Sequence, residues 1–371
     1  MLNAFLWNGE SDSARGARVS WEAVCSPKKS GGLGLRRIAH INQVFGLKLI
    51  WMLFAEQGSL WVAWVRHNII QRRNFWTFDF RGIGSWIWRR LVKLRHLARP
   101  LLVCQISSGN SALFWHDNWT TLGPLIDITG ANGPRVTGIQ SMATVSQAVE
   151  DETWLLPRGR HPLLILLRNC LPSPPLRSNA SHSDKFLWIN SPTSPPGKFS
   201  TAATWKSLHP SSDTVSWYYS VWFKNNIPKH AFMLWLAVQN RLFTRDRLCS
   251  WGLSVPDICL LCNSAAESRD HLFFVCPYSD VVWRDFFNHH SLSPPVSFTD
   301  IISWVSAPFS SSGVKIICSL IFQAVVYFIW MERNLRLHST STKSSHTLVK
   351  EIKLLLRAKL AALDRQIRSL A

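Results

Sequence analysis

The sequence predicts an α+β fold that is mainly helical, with small β-hairpin elements and one compact unit around clustered Cys and His residues. Helical spacing of apolar residues recurs in several long stretches. Two short apolar runs flank the turn-forming segment SSGN, and "CLLCNSAAESRDHLFFVC" places three Cys and one His within eighteen residues. Apolar residues make up 47% of the 371 residues, enough for the cores of two or three domains.

Residues 1–100 are predicted to form a basic helical region. "IAHINQVFGLKLIWMLFAE" follows a glycine-rich turn and has helical periodicity. The side chains expected on the buried face of this helix are Ile38, Ile41, Phe45 and Met52. "SWIWRRLVKLRHLARPLL" predicts a second, amphipathic helix. Its expected inward residues are Trp88, Leu91, Leu94 and Leu101, and its expected solvent-facing residues are Arg89, Arg90, Lys93 and Arg99.

Residues 101–171 are predicted to contain a hairpin, because the apolar runs "LLVCQI" and "SALFW" flank SSGN. His116 and Asp117 come directly after the second run. A strand end packed by tryptophans is favoured over a catalytic or metal-binding role, since no nearby partner completes a site. Residues 172–198 are rich in Pro and Ser, which predicts a loose linker with one short strand, "KFLWIN", inside it.

Residues 199–290 are predicted to be a separate domain that begins with a short helix, for which Ser200 is the N-cap. A helical pair follows. Pro228 suits the first turn of one of these helices, and Thr244 can cap the next. The Cys/His cluster comes directly after this pair, so the chemistry-bearing residues lie in the same domain.

Residues 291–312 are expected to be a loop, and residues 313–371 a helical C-terminal region. Within that region, Ile316–Met331 is an apolar stretch of sixteen residues. A membrane-spanning helix needs about twenty, and Gln323 interrupts this one, so a buried core helix is favoured. The final helix has apolar residues at alternating spacings of three and four, which predicts either helix pairing or packing onto its own domain. They are Val349, Ile352, Leu356, Leu360, Leu363, Ile367 and Leu370.

The net charge is +19 and is concentrated at the two ends of the chain. Residues 1–100 hold 16 Lys/Arg and 5 Asp/Glu, a net +11, and residues 333–371 hold 9 and 2, a net +7. The long middle is nearly balanced. A basic surface of this size favours a polyanionic partner, and nucleic acid is the commonest one. A merely soluble basic face and anionic lipid are the alternatives.

Four residues in the Cys/His cluster have the spacing of metal ligands. Cys259 and Cys262 are three apart, eight residues separate Cys262 from His271, and four separate His271 from Cys276. Three thiolates and one imidazole suit tetrahedral Zn²⁺ at about 2.0–2.3 Å. Four protein ligands close the site, so this zinc is expected to be structural. The spare candidates are Cys249 and the pair His289 and His290.

The same stretch, continued as "CLLCNSAAESRDHLFFVCPYSDVVW", resembles the zinc-binding region on the C-terminal side of plant non-LTR retrotransposon reverse transcriptases. "FLWNG", "VSWEAVCSPKKSGGLGLR", "SALFWHDNWTTLGPLIDITG", "KFSTAATW" and "PKHAFMLWLAVQNRLFTRDRL" are similar to successive parts of that family, so the resemblance covers roughly residues 5–290. It implies a zinc-knuckle-like unit within residues 199–290, the reverse-transcriptase zinc-binding domain. The family's metal-type residues correspond to Cys259, Cys262, His271 and Cys276.

The family it resembles is an RNA-directed DNA polymerase whose palm holds Mg²⁺ with paired aspartates, and this sequence has no Asp-Asp pair. We therefore expect no catalysis, and a piece that starts just after the palm. The expected function is a zinc-stabilised nucleic-acid-binding module. The alternative is a protein-interaction module or a relic fragment without function, in which the zinc is purely structural.

The expected partner is RNA or DNA, bound mainly through its backbone. The residues expected to contact it are Arg72, Arg73, Arg89, Arg90, Lys93, Lys229, Arg241, Arg245 and Arg247. Phe273 and Phe274 could stack on bases, although a small core around the knuckle is favoured. A helix-mediated protein partner through residues 348–370 is a further expectation, and membrane association is not expected. The N-terminus lacks signal-peptide features, which favours a nuclear or cytoplasmic location over secretion.

Overall fold

A computed structural model describes residues 2–9, 16–55, 58–175, 183–210, 213–288, 292–307, 309 and 311–368. The fold is α+β and mainly helical, with two small two-stranded sheets, as the sequence predicts. The chain forms two compact units. Unit 1 comprises Met1–Leu35 and Ser211–Ala371, and unit 2 is Arg36–Pro210. The six domain ranges drawn from the sequence stay predictions.

Unit 2 contains eight short helices and four strands among its described residues. In chain order they are α3 (Ile38–Phe54), α4 (Leu60–Val65), α5 (Trp86–Lys93), α6 (Arg95–Ala98), β1 (Leu102–Gln105), α7 (Leu125–Thr129), α8 (Asn132–Thr137), β2 (Val149–Glu150), β3 (Thr153–Trp154), α9 (Pro162–Cys170), β4 (Lys185–Trp188) and α10 (Thr201–Leu208). Aromatic side chains fill much of its core, and Trp88, Trp115 and Trp188 are fully buried. Ser200 caps α10 as predicted, since its side chain accepts a hydrogen bond from the Ala203 amide.

The predicted buried face of α3 is wrong. Ile38 and Phe45 are exposed, and the buried side chains lie on the stripe that includes Leu47 and Ile50. The helix is apolar on most faces, so periodicity could not select the inward one. The buried face is the one that contains Gly46. A Cβ at this position would lie 2.5 Å from Leu94 Cδ1, so the missing side chain lets α3 pack closely against α5 and α6. In α5 the expected pattern holds, with Trp88 and Leu91 inward and the basic residues in solvent.

The hairpin predicted around SSGN is not formed. β1 pairs antiparallel with β4 instead, with Leu102 opposite Trp188, so the strand predicted inside the Pro/Ser-rich segment completes this sheet. The hairpin of this region is formed by β2 and β3, whose two-residue turn, Asp151 and Glu152, has positive φ at both positions. This geometry matches the tightest β-hairpin turns.

A buried carboxylate explains why the chain after β1 does not turn back as a strand. Asp184 accepts hydrogen bonds from the backbone amides of Ser107 and Gly109, both at 2.8 Å, and of Ser111 at 2.9 Å. These amides would otherwise be ladder donors. Although burial alone would raise it, these bonds hold the pKa of Asp184 below its usual value. The loop is therefore fixed by a side chain 73 to 77 residues further along the chain.

Unit 1 is a helical assembly around one long helix. Its elements are α1 (Leu2–Asn8), α2 (Trp21–Cys25), α11 (Tyr218–Val221), α12 (Pro228–Val238), α13 (Arg245–Ser250), α14 (Pro277–Asp285), α15 (Phe298–Ser306), α16 (Ser312–His338) and α17 (Ser345–Arg368). Pro228 starts α12 as predicted. α16 is long and apolar enough to cross a membrane, and 61% of its most apolar window is buried inside the structure. Gln323, which interrupts the apolar run, is buried and donates to the Ser220 and Val221 carbonyls at the end of α11.

The first half of the heptad-like seam of α17 packs into the core of unit 1. Val349, Ile352 and Leu356 are buried in the same core as α16. Leu360 is partly buried against this core. The side chains of Ile367 and Leu370 lie outside the described residues. Packing onto its own unit is therefore the observed use of the first half of the seam, and a protein partner for the second half stays a prediction.

Asp184→Asn should destabilise unit 2 by about 1.5–3 kcal/mol, because all three amides lose a charged acceptor and the side-chain NH2 replaces one of the two accepting oxygens. The folded pKa lies below the unfolded value of about 3.9, so this contribution is present above pH 4 and is lost as pH falls through the folded pKa. Urea denaturation at pH 7 and at decreasing pH measures it. The exposed Asp213→Asn is the control, with an expected change within about 0.5 kcal/mol. Equal stability of the two variants at pH 7 contradicts the assignment.

Candidate metal centre

A short hairpin-like segment carries the first two cysteines. The Ile258 and Ala266 backbones bridge, the Cys259 amide donates to the Ala265 carbonyl at 2.7 Å, and the Asn263 amide donates back to Cys259 at 2.9 Å. Asn263 closes the turn with a φ of 54°, a conformation that Asn tolerates better than most residues. The tight turn directs the Cys259 and Cys262 side chains to one side, as a metal knuckle requires.

The other two residues come from one helical turn and the start of α14. His271 begins a π-helical turn, His271–Val275, and its amide is capped by the Ser268 hydroxyl at 3.2 Å. Cys276 ends that turn and is at the same time the N-cap of α14, where Pro277 follows it. A sulfur at a helix N-terminus faces unpaired amides, which favour the thiolate that a metal needs.

All four predicted ligand atoms lie together. The three Cys Sγ atoms and a His271 ring nitrogen are within 4.8 Å of one another, and Cys262 Sγ is 3.3 Å from His271 Nε2. Tetrahedral zinc with bonds of about 2.0–2.3 Å separates its ligand atoms by about 3.3–3.8 Å, so the cluster fits this ion. Cys259 and Cys276 are buried, and the other two are half-buried. Together these four residues form a closed, structural zinc site.

Two of the three thiols, those of Cys259 and Cys262, have a lowered pKa. The Cys276 thiol donates to Cys259, and backbone amides including that of Leu261 also point at its sulfur, so the pKa of Cys259 falls to about 6. The pKa of Cys276 is raised, because it holds the proton that the pair shares. The pKa of Cys262 is lowered despite its partial burial, by hydrogen bonds that include those from Ser264 and His271. The donor set is therefore that of a thiolate-rich metal site.

A buried ion pair ties this segment to α16. Glu267 follows the knuckle and is fully buried, and Arg333 of α16 is 3% exposed. Arg333 Nη2 donates to Glu267 Oε1 at 2.8 Å, and Nε lies 3.1 and 3.3 Å from the two carboxylate oxygens. The same carboxylate accepts from the Arg245 amide at 3.1 Å. One side chain thus joins the zinc hairpin, the start of α13 and the long helix.

A second arginine of α16 holds the knuckle by its backbone. Arg336 Nη1 donates to the Leu261 carbonyl at 3.0 Å, between the two knuckle cysteines. Its Nε pairs with the buried Glu332 at 2.8 Å, and its guanidinium lies over the Tyr278 ring. The position of the metal centre is therefore fixed by two arginines on the long helix.

Several sequence expectations around the centre can now be placed. Phe273 and Phe274 are fully buried against Phe298, so they form the core of the unit and do not face solvent. Thr244 is the N-cap residue of α13 but makes no side-chain cap bond; Glu267 supplies the acceptor instead. Cys249 lies outside the cluster and is exposed. The other spare candidates, residues 289 and 290, lie outside the described residues.

Sequence reasoning missed Glu267, Arg333 and Arg336. Glu267 was read as part of a polar loop, and the two arginines as part of the basic C-terminal end. A buried pair 66 residues apart in sequence has no local signature. The charged residues Glu332, Arg333 and Arg336, which directly follow the apolar run of α16, are the only hint that the sequence contains.

His116 and Asp117 are buried in unit 2 and belong to its packing, as the sequence favoured. Asp117 accepts from the Trp76 indole at 2.9 Å and from the Leu113 amide at 2.8 Å. Burial raises the pKa of Asp117 to about 6. His116 Nε2 lies 3.2 Å from the Ser141 hydroxyl, and burial lowers its pKa.

The predicted nucleic-acid contacts fall into three groups. Arg72, Arg89, Arg90 and Lys93 in unit 2, and Lys229 and Arg241 in unit 1, are exposed. Three others already have intramolecular roles. Arg73 donates to the Ile69 carbonyl and lies over the Phe78 ring, Arg245 donates to the Ile258 carbonyl, and Arg247 donates to the Leu242 carbonyl and covers Trp251.

Part of the chain matches a known class of zinc-binding regions. Residues 199–283 match the family described as zinc-binding in reverse transcriptase. The match contains all four cluster residues. Residues 199–283 are therefore a reverse-transcriptase zinc-binding region with a zinc site at Cys259, Cys262, His271 and Cys276.

Two plant proteins are similar to the chain. A protein of Arabidopsis thaliana that bears the name of a ribonuclease H protein is 25% identical over 295 residues, which are 76% of this chain and 46% of that protein. An uncharacterized mitochondrial protein of the same plant is 24% identical over 129 residues, which are 33% of this chain and 84% of that protein. The chain spans about half the length of the first relative.

Cys262→Ser should abolish stoichiometric zinc binding by the full chain, because it removes one of four ligands from a closed site. The wild type should hold about one zinc per chain by elemental analysis. The control is Cys249→Ser, which changes an exposed cysteine of the same region and should leave the metal content unchanged. A folded wild type free of zinc, or full zinc content in Cys262→Ser, would show that the cluster is not a metal site.

Glu267→Gln should cost about 3–5 kcal/mol of unfolding free energy, because Arg333 is left buried without a counter-charge. The matched control is Glu351→Gln, which breaks an ion pair with Lys343 at 2.7 Å in which both side chains are more than a third exposed. That change should cost under about 1 kcal/mol. Denaturant unfolding of zinc-loaded protein measures both, and similar costs would disprove the role given to the buried pair.

Proposed function

We propose that this chain is a non-catalytic nucleic-acid-binding module whose zinc unit is structural. The zinc-binding region identifies the kind of machinery from which the module derives, and relatives of this region occur in plant proteins, one of them named for ribonuclease H. Machinery of this kind must hold RNA or DNA while other domains act on it. The ligand is therefore a nucleic-acid backbone, and the location is the nucleus or the cytoplasm.

The observation that carries the proposal is the basic face of α5. Trp88 and Leu91 anchor this helix in the core, while Arg89, Arg90 and Lys93 stand in solvent. Arg72 of the same unit is also exposed. Within the part of the chain that the structure describes, none of these four cations forms an ion pair. Unpaired cations on a rigid helix neutralise phosphates at little cost in ordering.

The zinc unit contributes by its fold more than by direct contacts. Its two aromatic residues, Phe273 and Phe274, are buried, and Arg245 and Arg247 bind carbonyls within the unit. Arg241 is exposed at its surface, and Lys229 is exposed with its ammonium group over the Tyr327 ring. We therefore assign most of the phosphate binding to unit 2 and a minor share to unit 1.

The experiment measures the affinity of the full zinc-loaded chain for single-stranded RNA, single-stranded DNA and duplex DNA over a range of salt. Each phosphate contact should contribute about −0.7 to −0.9 to the slope of log K against log salt. Arg72, Arg89, Arg90 and Lys93, all changed to Gln, should weaken binding to all sequences by a similar factor and reduce the slope by about 3–4.

The matched control removes the same charge from the same unit but from the nearly balanced middle of the chain. Arg135, Arg158, Arg160 and Lys206 are exposed there and are likewise changed to Gln. This control should lose less affinity than the α5 set. Flat affinity across salt, or equal losses in both sets, overturns the proposal in favour of a protein-interaction module. Template-directed nucleotide addition that depends on Mg²⁺ would overturn its non-catalytic part.

A further inference from the structure

Unit 2 contains a cavity that the zinc region and the basic face of α5 do not explain. It has a volume of about 310 Å³, in the range of small-ligand pockets. Its walls come from the end of α3, the segment after α4, the loop after β1, and β4. All of these belong to one compact unit, so the cavity is a feature of a single folded body.

The cavity has aromatic walls. Phe54 and Trp76 are stacked with ring centroids 5.0 Å apart and an angle of 18°, and Phe186 lies 5.3 Å from Phe54. Phe75 completes this lining. Flat aromatic walls of this kind favour a flat, conjugated ligand, since stacking adds to the burial of its faces.

Two buried polar side chains hold the aromatic wall in place. Asn74 is 6% exposed, and its Oδ1 accepts from the Trp76 amide at 2.8 Å. The buried Asp117 carboxylate also lines the cavity, held by Trp76 and Leu113.

The mouth of the cavity is basic. A shallower depression beside it, of about 940 Å³, is lined by Arg66, His67, Arg72 and Arg73 with Ala63 and Gln71, and none of these described lining residues is acidic. Arg66, Gln71 and Arg73 line both spaces. A ligand that fills both would be flat and polar at one end and anionic at the other.

We propose that this cavity binds one unstacked base of a single-stranded nucleic acid, with an adjoining phosphate on Arg72 at its mouth. A nucleobase has two faces for stacking, and its phosphates match the charge of the depression. The inference rests on the proposed function and deepens it, because it names single strands as the ligand and gives the bases a role beside the backbone.

The test compares two probes of equal charge with the full zinc-loaded chain: a 20-nucleotide oligothymidine and a 20-unit abasic deoxyribose-phosphate polymer. The wild type should bind oligothymidine about 5-fold to 100-fold more tightly, as base–aromatic stacking predicts. Ser111→Phe places a ring in the cavity while its backbone amide can still bind Asp184. Phe54→Ala removes one of the two stacked rings of the cavity wall. Both variants should lose the preference and keep the affinity for the abasic polymer.

Asn110→Phe is the matched control, because it adds the same ring at the exposed neighbouring position, which does not line the cavity. It should keep the preference. Equal binding of both probes by the wild type, with steep salt dependence, overturns the cavity proposal and leaves phosphate binding intact. Retained preference in Ser111→Phe and Phe54→Ala, or its loss in Asn110→Phe, also overturns it. A wild type that binds neither probe overturns both this inference and the proposed function.

Discussion

The buried pair of Glu267 and Arg333 is the interaction on which the rest of unit 1 depends. Two opposite charges lie where almost no water reaches, and each is tolerable only because the other is there. The Glu267 carboxylate also receives the first amide of α13, and its own backbone closes the zinc hairpin against Asp257. Helix start, knuckle and long helix therefore meet at one residue, and none of them can move without exposing an unpaired charge.

The zinc site and this ion pair have different structural roles. Four side chains around a metal can order the short segment from Cys259 to Cys276, which has little regular structure of its own. They cannot orient that segment on the rest of the protein. Arg333 and Arg336 do so, the first through the Glu267 carboxylate and the second through the Leu261 carbonyl. The family match ends at residue 283, so the helix that positions the centre lies beyond the matched residues.

Unit 2 is also stabilised by buried carboxylates, each of which accepts hydrogen bonds from donors elsewhere in the chain. Asp184 gathers the amides of the loop after β1, and Asp117 holds the Trp76 indole and the Leu113 amide. Both loops are thereby fixed, and Trp76, Ser111 and Leu113 all line the aromatic cavity. Buried polar groups that are fully satisfied make a loop rigid, so this part of the cavity wall is held in place.

The sequence by itself determined the local features: the four zinc ligands from their spacing, the cap at Ser200, the helix start at Pro228, the two faces of α5, and the mainly helical α+β class. These depend on residues a few positions apart, where periodicity, capping and knuckle geometry act. Only the tertiary structure decided which strand pairs with β1, which face of α3 is buried, and that Glu267 meets Arg333. Those outcomes depend on a distant carboxylate at Asp184, on the close approach that Gly46 allows, and on charges 66 residues apart, for which the local sequence has no pattern.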